Sequence, residues 1–166
     1  MNLAGDSRIA KKVDTTTLNF MAVSQEPPSL TPDFQEPEPA TPGPPVVIVD
    51  GANVVGSVPD GWWRDRAGAA ARLRDNLAVV PAAGLPGLAA PVEVVLVVEG
   101  RARDVPPGPG GVRIERATGS GDDKIVDLVR VTAPTRRTVV ITADRGLRDR
   151  VTALGAEVRG PSAVPR

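Results

Sequence analysis

Residues 46–53 read Val-Val-Ile-Val-Asp-Gly-Ala-Asn, and this stretch decides the fold. The four apolar residues are β-branched and consecutive, without the alternation of a half-exposed strand, so they predict a strand that is buried on both faces. Asp50 and Gly51 end the block with residue types that favour a turn. Strands buried on both faces occur in parallel sheets covered by helices, so the expected fold is α/β.

Further apolar blocks follow this first one. They predict a second strand over residues 92–98, an edge strand over 112–115, a buried strand over 138–141 and a short strand over 156–158. Apolar residues at three- and four-residue steps predict three helices between them, which begin near Trp63, near Asp122 and after Asp144. Strands that alternate with helices need crossover connections, so we predict a three-layer domain with a mostly parallel sheet over residues 46–160.

The ends of the chain differ from this pattern. Residues 1–45 hold 8 of the 18 prolines and little apolar periodicity, which predicts a disordered tail. Met21 is a plausible alternative translation start. Residues 161–166 are expected to form a short C-terminal tail.

The composition excludes several kinds of chemistry. The chain has no His and no Cys, so it has no thiolate nucleophile, no Ser-His-Asp triad and no Cys-ligated zinc. Its formal net charge is zero, although residues 46–166 carry 17 basic against 14 acidic side chains. The sequence shows neither a membrane span nor a signal peptide, and we expect a cytoplasmic protein without a membrane partner.

Acidic side chains come at or just after the carboxyl ends of the predicted strands. They are Asp50, Glu99, Asp122, Asp123 and Asp144. Because these strand ends converge on one crevice, the carboxylates repel each other unless a cation neutralises them. Hard divalent ions prefer oxygen ligands, so the pattern predicts bound Mg²⁺ or Mn²⁺, which could activate water against a phosphodiester.

Each acid also has a structural interpretation. Those that precede predicted helices have the residue type of helix caps or first-turn acids, and Asp50 has that of a turn residue. Glu99 lies near Arg101 and Arg103, with which it could form a surface ion pair. These interpretations do not explain why all the acids fall at the same edge of the sheet.

Three segments together resemble the NYN group of PIN-like ribonucleases in their order and spacing. They are residues 46–55 (VVIVDGANVV), 119–126 (GSGDDKIV) and 139–144 (VVITAD). The similarity covers nearly all of residues 46–160. It implies a Rossmann-like, PIN-like α/β domain whose clustered acids bind a divalent metal for the cleavage of RNA.

The positions that match these segments supply the candidate site. The candidate catalytic residues are Asp50, Asn53, Asp122, Asp123 and Asp144. The candidate metal ligands are the same four aspartates and Glu99. Asn53 has the alternative of a helix-start cap, and Thr142 is expected to hydrogen-bond Asp144 or the local backbone. Arg101 and Arg145 are the candidate substrate-binding residues. Many relatives carry an aromatic residue where this chain has Ala52, so any stacking role of that position is lost.

The function predicted is that of a metal-dependent ribonuclease with RNA as its partner, and a homodimer is compatible with the sequence. Two alternatives stay open: a metal-dependent nucleotide pyrophosphohydrolase, and a non-catalytic module that binds RNA or protein. The glycine pattern of dinucleotide-binding folds and that of P-loops are both missing. A haloacid-dehalogenase-like phosphatase is excluded because Ala52 stands where that chemistry needs a second Asp. Trp62 and Trp63 are expected to anchor the first helix to the sheet, with base stacking as the alternative.

Overall fold

The computed structural model describes residues 42–166. The strands in this part of the chain are β1 (Val46–Asp50), β2 (Glu93–Val98), β3 (Arg113–Arg116), β4 (Thr138–Ile141) and β5 (Glu157–Arg159). The α-helices are α1 (Gly51–Gly56), α2 (Arg66–Leu77), α3 (Val80–Ala83), α4 (Gly121–Thr132) and α5 (Arg145–Thr152). Short 3₁₀ helices lie at Trp62–Arg64, Gly100–Asp104 and Pro161–Ala163.

The five strands form one sheet in the order β3-β2-β1-β4-β5, and every neighbouring pair is parallel. This arrangement confirms the predicted α/β fold. From the central β1 the chain moves outward through β2 and β3 on one side, and through β4 and β5 on the other. The carboxyl ends of β1 and β4 therefore flank the point where the strand order reverses, which is where open α/β sheets bind ligands.

Each face of the sheet carries its own apolar core. On one face α1, α2 and α3 cover strand residues such as Val47 and Leu96. On the other face α4 and α5 cover Ile48 and Val95. Successive residues of a strand point to opposite faces, so a strand between two helix layers is apolar at every position. This explains why β1 is an unbroken apolar block and confirms the three layers.

The helix α1 begins directly after β1, where the sequence predicts a turn at Asp50 and Gly51 and offers a helix start only as the alternative for Asn53. The Asp50 carboxylate caps it by accepting a hydrogen bond from the backbone N–H of Asn53 at 3.1 Å. A Cβ at Gly51 would lie 2.5 Å from the carbonyl oxygen of Val97 in β2. Glycine therefore allows α1 to begin against β2, and its six residues are too few to show a clear helical period.

The two tryptophans do not anchor a helix to the sheet, and that expectation is wrong. They lie in the 3₁₀ turn before α2, where Trp63 is 55% exposed and Trp62 is half-buried, and neither belongs to the two cores. Leu73 and Leu77 of α2 are buried instead. Their spacing of four residues keeps both on the face of α2 that meets the sheet.

The packed core continues past residue 160, where the sequence predicts the domain to end. Val164 is buried in the core that α2 covers, and the Arg166 guanidinium donates to Oγ of Ser57 at 3.1 Å. The disordered tail predicted for the N-terminus falls, for residues 1–41, outside the described residues. Within residues 42–166, none of the helices has the length and apolar character needed to cross a membrane.

Candidate functional site

A cavity of about 260 Å³ lies at the carboxyl edge of the sheet, at the reversal of strand order. Four of the five predicted acids line it, each at the end of a strand or the start of a helix: Asp50, Glu99, Asp122 and Asp144. The remaining lining residues are Ala52, Asn53, Val97 and Gly121. We refer to this space as the acidic cavity.

Asp50 is the most buried of these acids, with 7% of its surface exposed. Its Oδ1 accepts from the backbone N–H of Asn53, and its Oδ2 accepts from the Thr142 hydroxyl at 2.8 Å. Burial raises the pKa of the Asp50 carboxyl, the two hydrogen bonds lower it, and the nearby Asp122 and Glu99 raise it again. The net shift is upward, so the ionised carboxylate is held here at a cost in free energy.

Thr142 and Asn53 connect β1 and α1 to the segment that follows β4. The Thr142 hydroxyl, which is fully buried, donates to Asp50 and accepts from the backbone N–H of Asp144 at 3.1 Å. The Asn53 side-chain oxygen accepts from the backbone N–H of Ala143 at 2.8 Å. Asn53 therefore reaches across the strand reversal, and its side chain does not act as the helix-start cap that the sequence allowed.

Asp122 and Glu99 form the opposite wall of the acidic cavity. The Glu99 carboxylate accepts from the backbone N–H of Gly121 at 2.6 Å, which ties the end of β2 to the first residue of α4. Burial raises the pKa of Asp122, as do the charges of Asp144 and Glu99, whereas Arg150 lowers it, and the net shift is upward. Within residues 42–166 Glu99 forms no ion pair with an arginine, so its surface-pair alternative is not seen there.

The structure separates Asp144 and Asp123, which the sequence treats alike. Asp144 caps α5 by accepting from the backbone N–H of Leu147 at 2.7 Å, and it also lines the acidic cavity. Asp123 does not line that cavity. Its carboxylate is exposed and accepts from the Arg150 guanidinium at 2.6 Å, outside the group of four acids.

The two predicted substrate-binding arginines lie on the surface beside the site. Arg101 is exposed in the 3₁₀ helix that follows Glu99. Arg145 is exposed at the first position of α5, next to Asp144. Neither lines the acidic cavity. Their position permits contact with a ligand that extends beyond the cavity.

The donor atoms of the acidic cavity suit a hard divalent ion, because all four charged groups offer carboxylate oxygens. The hydrogen bonds described above leave one oxygen each of Glu99 and Asp144 and both oxygens of Asp122 without a bond to residues 42–166. In this part of the chain no three acidic side chains are grouped closely enough to ligate one metal ion together. An ion such as Mg²⁺, which binds through one or two carboxylates and keeps several waters, does not require such a group.

Two features of the site are not predicted from the sequence. One is the contact of Gly51 with the backbone of β2, which sets the position of Asp50. The other is the bond from the Gly121 N–H to Glu99, which brings α4 to the cavity. The glycine after the first acid is a signal for a close backbone approach, but it does not say which strand is approached.

The fold is similar to that in two crystal structures of Rae1 (YacP) from Bacillus subtilis, one of them of a point mutant. The mutant aligns with a TM-score of 0.55 at 16% identity and the other with 0.54 at 19%, each over 71% of this chain and 70% of that chain. No family model and no curated protein matches the sequence. At these identities the likeness concerns the fold, and it agrees with the α/β class expected from the sequence.

Proposed function

We propose that this chain is a metal-dependent ribonuclease that hydrolyses RNA phosphodiester bonds at the acidic cavity. The observation that carries the proposal is the convergence of four carboxylates from four separate segments of the chain at the reversal of strand order. The resemblance of three segments to the NYN ribonucleases supports the choice of chemistry, and the likeness to Rae1 supports the fold.

One or two of the carboxylates of Asp50, Glu99, Asp122 and Asp144 are proposed to bind a Mg²⁺ or Mn²⁺ ion directly, and the others to accept hydrogen bonds from its bound waters. When bound, such an ion supplies activation of water and stabilisation of charge on the phosphate. Thr142 and the Asn53 backbone hold the Asp50 carboxylate in one orientation through both of its oxygens. The Asn53 amide nitrogen has no acceptor among residues 42–166, and we assign it to a phosphate oxygen.

Asp123 is left out of the proposed ligand set. Its carboxylate is engaged by Arg150, whose charge is thereby held beside α4. Arg101 and Arg145 are proposed to contact phosphates on either side of the cleaved bond, because they flank Glu99 and Asp144 on the surface. A substrate must be longer than a free nucleotide to reach both of these arginines.

The neighbours Asp122 and Asp123 provide a matched test. We expect Asp122→Asn to lower the cleavage of single-stranded RNA by two or more orders of magnitude with Mg²⁺ or Mn²⁺, and Asp123→Asn to keep activity within about threefold of the parent chain. EDTA should abolish cleavage by all three proteins. Equal activity of the two variants, or cleavage that resists EDTA, would contradict the proposal.

The same assay separates the alternatives. Efficient hydrolysis of a free nucleoside triphosphate, with RNA left intact, would favour the pyrophosphohydrolase. RNA binding without any turnover in either metal would favour a non-catalytic module. DNA of the same sequence is the control that shows whether cleavage depends on the ribose sugar.

A further inference from the structure

A second cleft, of about 200 Å³, adjoins the acidic cavity. Ala52 and Glu99 border both spaces, so the two lie side by side at α1 and the end of β2. The rest of the cleft wall is largely apolar and is contributed by Val55, Trp62, Ala70, Val98 and Ala102. We refer to this space as the tryptophan cleft.

Trp62 has no structural role in the packed cores. It is half-buried at the end of α1, with the Cζ2 atom of its ring 3.8 Å from the position of a Cβ on Gly56. Large aromatic side chains supply much of the energy of a protein core, yet both cores of residues 42–166 are built without it. Trp62 therefore presents an aromatic ring to a cleft that touches the candidate site.

Positive charge accompanies this ring. The Arg66 guanidinium, which also lines the tryptophan cleft, lies 5.6 Å from the centroid of the Trp62 ring. The neighbouring Trp63, whose ring lies 5.8 Å from the Arg64 guanidinium, does not line the tryptophan cleft. Aromatic rings beside cationic side chains are the arrangement with which proteins bind single-stranded nucleic acid, because bases stack on the rings and phosphates meet the charges.

We propose that the tryptophan cleft receives one base of a single-stranded RNA, stacked on Trp62, while the adjacent phosphate lies in the acidic cavity. The proposal rests on the proposed function and names the part of the substrate that the site holds beyond the phosphate. The volume is below the roughly 300 Å³ at which pockets for larger ligands begin, which suits a single ring system. Between the two spaces lies the small side chain of Ala52, which lines both.

Binding in EDTA tests this proposal without any cleavage. The probes are a short single-stranded oligoribonucleotide and a strand of equal length whose sugars carry no bases. We expect Trp62→Leu, which keeps an apolar side chain, to weaken binding of the first strand about tenfold and to leave the second unchanged. Trp63→Leu, at the exposed neighbour, is the control and should change neither.

Ala52→Leu provides a second variant that removes no packing. Ala52 is exposed on α1, so a leucine is compatible with the helix but adds bulk at the border of the two spaces. We expect Ala52→Leu to weaken binding of the base-bearing strand about tenfold and to leave binding of the base-free strand unchanged. In the full chain with Trp63→Phe, Trp62 is the only tryptophan, and its fluorescence should be quenched by the base-bearing strand alone.

The proposal is overturned if neither variant weakens binding of the base-bearing strand, if both strands lose affinity equally, or if both quench Trp62 equally. If both variants selectively lose affinity for the base-bearing strand but the parent chain does not cleave RNA with Mg²⁺ or Mn²⁺, the base site stands and the ribonuclease assignment is refuted. If the parent chain cleaves RNA but both variants bind the base-bearing strand as tightly as the parent does, the ribonuclease assignment stands and the base site is refuted.

Discussion

The Thr142 hydroxyl donates a 2.8 Å hydrogen bond to Oδ2 of Asp50, across the carboxyl ends of two neighbouring strands. The two residues are 92 positions apart in the chain, and both are buried. The bond spans the point where the strand order reverses. It therefore holds the Asp50 carboxylate at the position where open α/β sheets bind ligands. The contribution of this hydrogen bond to stability and its contribution to RNA cleavage can be measured separately.

Replacing Thr142 by Val removes the hydroxyl but keeps the branched shape. We expect a loss of about 1–3 kcal/mol in the free energy of unfolding, because the Asp50 carboxylate loses a donor and the Asp144 N–H loses an acceptor. We also expect RNA turnover to fall, with KM nearly unchanged. The separate variant Thr142→Ser keeps the hydroxyl and should match the parent chain in both stability and RNA turnover. A valine variant as stable and active as the parent chain would show that the bond positions nothing.

Replacing Asp50 by Asn tests the cost of the buried charge. The pKa of Asp50 is raised in the folded state, so the stabilisation that it gives is largest at low pH and is lost as the pH rises through the folded pKa. Near neutral pH the charge is therefore a burden in the metal-free protein. We expect Asp50→Asn to melt level with or above the parent chain in EDTA, since Asn also caps helices well, while RNA cleavage falls by orders of magnitude.

Asp149→Asn, at an exposed acid of α5, is the control for this experiment and should change neither property. A clear drop in the melting temperature of Asp50→Asn in EDTA would contradict the interpretation. It would mean that the hydrogen bonds to the carboxylate outweigh the cost of burying its charge.

Sequence reasoning succeeds here where the signal is a repeated pattern. Unbroken apolar blocks such as residues 46–49 predict β1, and the steps from Ile125 to Val129 predict α4. It fails for α1, whose six residues are shorter than the window in which a helical period can be seen. It also cannot separate Asp122 from Asp123, because neighbours on a helix point about 100° apart and the facing elements decide which one meets the cavity.

The Glu93 carboxylate bridges Arg113 and Arg136 at the start of β2. Although burial acts in the opposite direction, these two guanidinium groups hold its pKa below the ordinary value of 4.5. The resulting stabilisation is fully present above that value and is lost as the pH falls through the folded pKa. We expect Glu93→Gln to cost less than about 1 kcal/mol near pH 7, because the pairs are partly exposed.

Urea denaturation at several pH values checks this prediction. The stability curves of the parent chain and Glu93→Gln should converge as the pH falls through the folded pKa of Glu93, which lies below 4.5. Asp104→Asn, at an exposed acid, is the control and should run parallel to the parent chain. A constant difference between the parent and Glu93→Gln down to the lowest pH would show that packing, not charge, is responsible.

Binding of RNA is expected to weaken steeply with salt, because the proposed contacts of Arg101 and Arg145 release counterions from the phosphates. A plot of log K against log salt concentration in EDTA gives the slope. Arg101→Gln and Arg145→Gln should each reduce that slope by about 1, with similar effects on different RNA sequences. Arg130→Gln, on the solvent face of α4, should leave it unchanged. A flat salt dependence would argue against a polyanionic substrate.

Two glycines of α1 should respond in opposite ways to the same substitution. Gly51→Ala places a Cβ 2.5 Å from the Val97 carbonyl oxygen, a backbone atom that can move only with the whole of β2. Gly56→Ala places its Cβ at an ordinary 3.8 Å from the Trp62 ring. We expect the first to destabilise the fold by about 1–3 kcal/mol and the second to be neutral or to stabilise it by up to about 1 kcal/mol, through the helix propensity of alanine.

Activity should follow the same division. Gly51 is the first residue of α1 and lies between Asp50 and Asn53 in the chain, so a shift of α1 away from β2 moves both side chains at the acidic cavity. Gly51→Ala should therefore cleave RNA more slowly even at temperatures where it remains folded, whereas Gly56→Ala should retain the parent rate. Thermal melts and single-turnover cleavage on both variants make the comparison. If Gly51→Ala matched Gly56→Ala in stability and rate, the close approach of α1 to β2 would not be what places Asp50.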